Sequence, residues 1–231
     1  METLNTDILV IGGGVNGTSI AMALAARNAG KITLIEKGGL ATGATGRSGA
    51  MVREHYLNVE LVRMASDAKT FFEEWPKEMG YDLKFQTTGR ILLFDESDAG
   101  AAIANGEMNR TEGVNIETLS PEKTMDLIPL ANLEDVSISL YEPEAGYADP
   151  VATTYAFAME AQKKGVELLT RTPVKNLIVK GGRVAGVETA TGKINADAVI
   201  NVTGPWANSL LGQNDVPLPI TPIRVQMVHL R

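Results

Sequence analysis

The stretch Ile8-Leu9-Val10-Ile11-Gly12-Gly13-Gly14-Val15-Asn16-Gly17 decides the fold. Its four consecutive apolar residues read as a parallel strand buried on both faces, since such strands carry continuous apolar runs. The glycines follow as Gly12-x-Gly14-x-x-Gly17. Helix-favouring residues rich in Ala and Met then run over 15–28, with Gly30 placed to end the helix in a left-handed conformation. A second buried strand, Ile32-Thr33-Leu34-Ile35, ends at Glu36. Together these form a βαβ unit with a dinucleotide-binding fingerprint. The first glycine permits the tight turn, the second lets the backbone approach a pyrophosphate, and the third allows close packing of helix on strand. Backbone N–H groups and the helix dipole stabilise the phosphate charge. Glu36 is placed to accept hydrogen bonds from both ribose hydroxyls and to repel a 2′-phosphate. Gly13, Val15 and Asn16 within the turn, and Lys37 beside the acid, join the candidate cofactor-binding residues. The plainer reading of the triplet is a glycine-rich structural turn.

Composition narrows the class. The 231 residues are 44% hydrophobic and 21% charged, as in soluble globular proteins, and the chain is long enough to bury a sizeable core. A net charge of −7 argues against nucleic acid as a partner, because no basic field would neutralise phosphates. The absence of cysteine excludes disulfides, thiolate metal sites, a cysteine nucleophile and cysteinyl flavin attachment within this stretch, and fits a reducing compartment. The histidines, His55 and His229, are too few and too far apart in sequence to suggest a metal site. Residues 8–26 are nearly uncharged and about as long as a membrane span. They hold four glycines and follow Glu2 and Asp7, not a basic region, so a strand, a turn and a helix explain them better.

Beyond a Gly- and Thr-rich loop over 38–49, a helical pattern runs over 59–79, with Pro76 expected to kink or end it. Residues 85–94 read as strands around Gly89. Ser120-Pro121 is a helix start, and Asp149-Pro150 repeats the signal before an amphipathic stretch over 151–164 that Gly165 ends. After a strand at Val166-Glu167-Leu168-Leu169, strand-like runs follow over 174–179, 184–189 and 194–202. Gly181-Gly182 and Thr191-Gly192 separate them as hairpin turns. A β-meander is thus inserted before the chain returns to a buried strand.

The glycine fingerprint alone does not separate NAD from FAD, but two later features favour FAD. A meander crossover departs from the doubly wound NAD fold with its helical crossovers. The loop Ala44-Thr45-Gly46-Arg47-Ser48-Gly49-Ala50-Met51 has small residues that allow backbone contact with a second length of an extended cofactor. Arg47 and Ser48 there are candidate donors to pyrophosphate. A flexible surface connection is the alternative reading of this loop.

Several pieces recur in order: Asp7-Ile-Leu-Val-Ile-Gly-Gly-Gly with Glu36, Gly43-Ala-Thr-Gly-Arg-Ser-Gly-Ala, Val52-Arg53-Glu54-His55-Tyr56, Thr88-Gly89-Arg90-Ile91-Leu92, Glu144-Ala-Gly-Tyr-Ala-Asp149-Pro150, Asn201-Val-Thr-Gly-Pro-Trp206-Ala and Pro217-Leu-Pro-Ile-Thr-Pro-Ile-Arg224. Their order resembles the D-amino-acid-oxidase superfamily of FAD-dependent oxidoreductases, most nearly the branch of sarcosine oxidase β-subunit-like proteins and related amine dehydrogenases. The resemblance covers essentially the whole chain. It implies an α/β fold: a two-dinucleotide-type, Rossmann-like FAD-binding domain with a β-meander, plus part of a mixed-sheet α+β substrate domain. The expected limits are 1–80 with 143–212 for the first domain and 81–142 with 213–231 for the second.

At matching positions the resemblance places Gly12, Gly14, Gly17 and Glu36 on the ADP half of FAD. Thr45, Arg47, Ser48, Ala50 and Met51 line the stretch from pyrophosphate to flavin. Val174 approaches the adenine through its backbone, and Thr203-Gly204 close over the cofactor. Trp206 is grouped with these cofactor residues, although core or domain-interface packing also explains it. Arg53 matches the arginine that pairs with the substrate carboxylate, a task suited to its planar fork; an ordinary surface ion pair is the alternative. His55 and Tyr56 are candidates to orient the amine or cover the flavin, with packing as the alternative. No metal site is expected.

The implied reaction is oxidation of the C–N bond of a small amine or amino acid (sarcosine, proline or a D-amino acid) to an imine, with the electron acceptor left open. The resemblance also implies later segments beyond Arg231, so a fragment, a truncated product or half of a split enzyme is expected, completed by a partner subunit or the missing C-terminal half. A terminal strand at His229-Leu230-Arg231 would carry an unpaired edge. Two other functions remain open: a flavin-binding fragment or subunit without turnover, and an FAD-linked glycerol-3-phosphate dehydrogenase, whose loop residues 41–47 match. The expected location is the cytoplasm, with peripheral attachment to a membrane through an electron acceptor as a variant.

Overall fold

The computed structural model describes residues 2–211 and 217–223. The chain opens with β1 (Glu2–Ile11), α1 (Val15–Ala26) and β2 (Ile32–Ile35), then β3 (Met51–Val52), α2 (Val59–Met79), β4 (Gln86–Thr87) and β5 (Arg90–Phe94). It continues through α3 (Glu96–Thr111), β6 (Glu117–Leu119), α4 (Pro121–Leu127), β7 (Ile138–Glu142) and β8 (Gly146–Tyr147). Last come α5 (Pro150–Lys163), β9 (Glu167–Leu169), β10 (Val174–Lys180), β11 (Arg183–Thr189), β12 (Gly192–Asn201) and α6 (Ala207–Leu211). Two compact units result: Met1–Gly49 with Pro150–Arg231, and Ala50–Asp149.

The first unit is built on a six-stranded sheet in the order β10-β11-β12-β1-β2-β9. Strand β1 lies between β12 and β2, parallel to both, and β9 extends the parallel part. Its apolar run is buried on both faces, as the sequence implies. Leu9 and Ile11 pack on one face with Ile35, Val187, Ile194 and Leu210, while Val10 packs on the other with Leu34, Ala21, Ala25 and Ala161. The small side chains of α1 and α5 form that second layer. The uncharged stretch over 8–26 is therefore divided between β1 and α1. Among the described residues no helix is long and apolar enough to cross a membrane.

The meander forms as expected, with one refinement. Lys180 pairs with Arg183 across Gly181 and Gly182, whose φ angles of 58° and 75° suit a two-residue hairpin. The third meander strand and the returning buried strand are one element: β12 pairs antiparallel with β11 near its start and parallel with β1 along its length. Strand β1 begins six residues before the apolar run, because its polar half pairs with the same long strand. Helix α1 stops at Ala26, earlier than expected, with Asn28 (φ 53°) in the left-handed region ahead of Gly30.

In the second unit α3 packs with the antiparallel sheet β5-β7-β6, around Val62, Ala102, Val114, Ile116 and Leu140. A smaller sheet, β3-β8-β4, lies in the same unit. Asn58, Asp95 and Ser120 cap α2, α3 and α4 through their side chains. Pro76 does not end α2, which runs to Met79 and stops at Gly80 (φ 73°). The compact units also differ from the expected domain limits: residues 50–80 and 143–149 fall in the second unit, because α2 contributes Val62 to its core and β8 pairs with β3 and β4. The expected strand at His229-Leu230-Arg231, and the expected placement of 213–216 and 224–231, lie outside the described residues.

Backbone contact sets the junction of β1, α1 and β12. A Cβ on Gly17 would lie 1.8 Å from the Gly12 carbonyl oxygen, so no side chain fits without moving backbone. Gly17→Ala should cost about 2 kcal/mol by overpacking, lowering Tm by roughly 4–8 °C for a protein of this size. At exposed Gly100 in α3 nothing lies within 4 Å of an added Cβ. There the same substitution should raise Tm by a few degrees through helix propensity. Thermal denaturation of both variants checks the opposite signs.

Candidate active site

The fingerprint turn sits where the backbone is most tightly tied. Gly12 donates to the Ile35 carbonyl, Val202 donates to that of Ile11, and Ala41 donates to that of Gly13. Gly12 has φ 124°, and an added Cβ would lie 2.5 Å from the Val202 carbonyl oxygen, so this position requires glycine. The sheet ends therefore leave the turn facing a cavity of about 390 Å³ within the first unit, a size typical of small-molecule sites.

Most of the expected cofactor residues meet there. Gly12, Gly13, Gly14, Asn16, Glu36, Lys37, Thr45, Arg47, Val174, Thr203, Gly204 and Trp206 all line the cavity. Both Glu36 oxygens accept backbone N–H groups, Oε2 from Gly13 at 2.7 Å and Oε1 from Gly38 at 2.8 Å. Each oxygen keeps a second lone pair for a ribose hydroxyl. Val15 does not line the cavity; its amide donates to Thr45 Oγ1 at 3.1 Å. No side chain of the N-cap residue Gly14 caps α1, and its first turn holds no acidic residue. The first turn of α1 thus offers its positive end to the cavity with no acidic residue of its own, as suits an anion-binding terminus. Lys37 stands 4.5 Å over the Trp206 ring. Trp206 is itself 39% exposed, which corrects its reading as core packing.

Four more expected residues have other settings, and Gly17 is one of them, packed against the Gly12 carbonyl outside the lining. The Ser48 hydroxyl turns back to the Thr45 carbonyl at 2.7 Å. Ala50 and Met51 belong to the second unit, where Ala50 accepts from Ala148 N–H and Met51 pairs with Tyr147 in β3. Sequence reasoning missed Thr42, Thr172, Pro173, Lys175 and Ser209, which also line the cavity. The first signal for this loop was Thr172-Pro173, directly before the expected Val174; Thr172 N–H donates to the Glu36 carbonyl.

Arg53, His55 and Tyr56 lie together in the second unit. The Arg53 guanidinium stands 3.9 Å from the Tyr56 ring centroid and donates to the His55 carbonyl. Among the described residues no carboxylate forms an ion pair with it, so the surface ion-pair reading does not hold. His55 is buried, with Nε2 at 2.5 Å from Asn105 Oδ1 and Nδ1 at 3.5 Å from an Arg90 nitrogen. Those partners assign the proton to Nε2 and the acceptor lone pair to Nδ1. Burial holds its pKa below the usual histidine value, and the Arg90 and Arg53 charges reinforce this against the opposing Asn105 hydrogen bond. With both ring nitrogens engaged, His55 is set to hold the segment in place.

The whole chain from residue 7 to 231 matches the model of the family described as FAD dependent oxidoreductase. The chain belongs to that family. The β subunit of sarcosine oxidase from an Arthrobacter species is 30% identical over 97% of this chain, and the chain spans 58% of its length. The mitochondrial pyruvate dehydrogenase phosphatase regulatory subunit of Mus musculus is 32% identical over 92% of this chain, which spans 24% of it. The crystal structure of L-proline dehydrogenase from P. horikoshii superposes with a TM-score of 0.84 at 31% identity, covering 95% of this chain and 58% of that one. FAD is the family cofactor, and the glycine turn, the uncapped α1 terminus and Glu36 fit its nucleotide half.

Two outcomes follow. Glu36→Ala should weaken FAD binding by about 10- to 100-fold, the worth of a hydrogen bond to a charged group, about 1.5–3 kcal/mol; titration of apoprotein with FAD measures it. The second concerns His55, whose folded pKa lies below the ordinary value of 6.5. The unfolded chain then binds the extra proton first as pH falls, so the contribution of neutral His55 is present above pH 6.5 and lost below it. The stability gap between wild type and His55→Gln, from urea unfolding, should shrink between pH 7.5 and pH 5.5.

Proposed function

We propose that this chain forms the FAD-binding part of an oxidoreductase that oxidises the C–N bond of a small carboxylate-bearing amine, such as sarcosine or proline. The observation that carries this reading is Arg53, a guanidinium held against Tyr56 with no acidic partner among the described residues. Its planar fork suits a carboxylate, and the aromatic face beneath it fixes its plane. Bound FAD supplies the two-electron acceptor. The residues of this chain do the rest: the glycine turn and α1 hold the phosphates, Glu36 holds the ribose, and Arg53 binds and orients the substrate carboxylate. The sarcosine oxidase and proline dehydrogenase relatives support an amine substrate, and the β-subunit relative supports assembly with a partner subunit. A cytoplasmic location is part of the proposal, supported by the cysteine-free composition.

A second reading, a flavin-binding subunit without turnover, is favoured by the similarity to a phosphatase regulatory subunit. Anaerobic mixing of the flavin-loaded chain with sarcosine, proline, glycine and glycerol 3-phosphate separates the readings. Bleaching by a carboxylate-bearing amine supports the first, no bleaching by any compound supports the second, and bleaching by glycerol 3-phosphate alone overturns both. In the active case Arg53→Met should raise the half-saturating concentration of proline about 30-fold or more through the lost charge-assisted pair. The flavin absorbance should stay unchanged.

A further inference from the structure

Glu142 ends β7 and is 2% exposed, directly opposite Arg90 in the β5–β7 register. Its Oε1 accepts the Glu54 N–H at 2.5 Å. Its Oε2 is buried without a hydrogen-bond partner among the described residues. A carboxylate in this position is costly unless hydrogen bonds and a nearby opposite charge offset its desolvation. Burial pushes its pKa up, against the lowering effect of the Glu54 amide and of Arg90.

What it touches is the segment that carries Arg53. On the other side of that segment α3 supplies two asparagines one turn apart. Asn109 Oδ1 accepts the Tyr56 N–H at 3.1 Å, and the Asn105 and Asn109 amides donate to the Tyr56 carbonyl at 3.0 and 2.9 Å. Residues 54–56 are therefore held by β7 from one side and α3 from the other. The neighbouring acid, Glu54, is engaged by Lys69 at 3.4 Å.

We propose that Glu142 is a positioning residue for substrate recognition: it holds the Glu54 amide and stands opposite Arg90, leaving Arg53 fixed for a substrate carboxylate. The role rests on the proposed function for its substrate, but not for its hold on the segment.

Glu142→Gln keeps the volume and one acceptor oxygen while removing the charge, so the full chain is expected to fold. Two measurements test it. The first is hydrogen exchange of the amides over 53–57, which should quicken about five-fold or more when charge-assisted bonds become neutral ones. The second is anaerobic bleaching of the flavin-loaded chain by proline and by pyrrolidine, the same ring without a carboxylate. The half-saturating concentration of proline should rise about five-fold or more, and that of pyrrolidine less than two-fold. Unchanged exchange overturns the proposal, and so does an equal rise for both amines, which marks general loosening. If wild type bleaches with neither amine, the proposed function fails, and exchange alone then decides whether Glu142 holds the segment.

Discussion

The first unit depends on a backbone approach that no side chain is allowed to enter. Gly17 in α1 meets the Gly12 carbonyl, and Gly12 in turn meets the Val202 carbonyl at the end of β12. Three elements converge on two residues that lack Cβ atoms. Because β1 is paired on both sides along its apolar run, the turn after it cannot slide to relieve a clash. A one-residue slip would also exchange Leu9 and Ile11 with Val10 between the two core faces. The register of the sheet and the position of the α1 terminus are therefore one constraint, and the cavity inherits its shape from it.

Electrostatics then act on a site that sterics have already placed. A helix end without an acidic cap attracts anions, and Glu36 stands at the end of the neighbouring strand with each oxygen already holding a backbone amide. Those two amides orient the carboxylate before a ligand arrives, so little ordering remains to be done on binding.

The parts of this architecture that were legible in the sequence are those with local causes. The apolar run, the glycine spacing, the hairpin glycines and the Ser120-Pro121 start each act within a few residues, and each formed where expected. Helix α3 went unread because Gly100 and Gly106 interrupt its pattern and its apolar positions are mostly alanine. Its Asp95 cap, which accepts from Ser97 and Asp98, was the available signal. The support around Arg53 was hidden for a different reason. Glu142 and Arg90 come together only through antiparallel pairing, and Asn105 and Asn109 share a face only once α3 exists. A buried carboxylate and two asparagines look like surface residues until the topology encloses them.

This hidden support explains a charge arrangement that composition alone makes unexpected. The chain has 28 acidic residues against 21 basic ones, so a cation would ordinarily find an acidic partner. Lys69 in the same unit has three: Glu54, Glu73 and Glu144 within 3.4 Å, which together outweigh burial and raise its pKa. Among the described residues Arg53 has none, although Glu54 is its neighbour in sequence. The difference lies in how the acids are already engaged, Glu54 by Lys69 and Glu142 by the Glu54 amide opposite Arg90. An unpaired guanidinium beside committed carboxylates is a state the fold maintains, because releasing either acid would break a buried contact. In the proposed function this makes Arg53 available to a substrate carboxylate through the organisation of its neighbours, and the sequence signal for it, Val52-Arg53-Glu54-His55-Tyr56, records only the surface of that organisation.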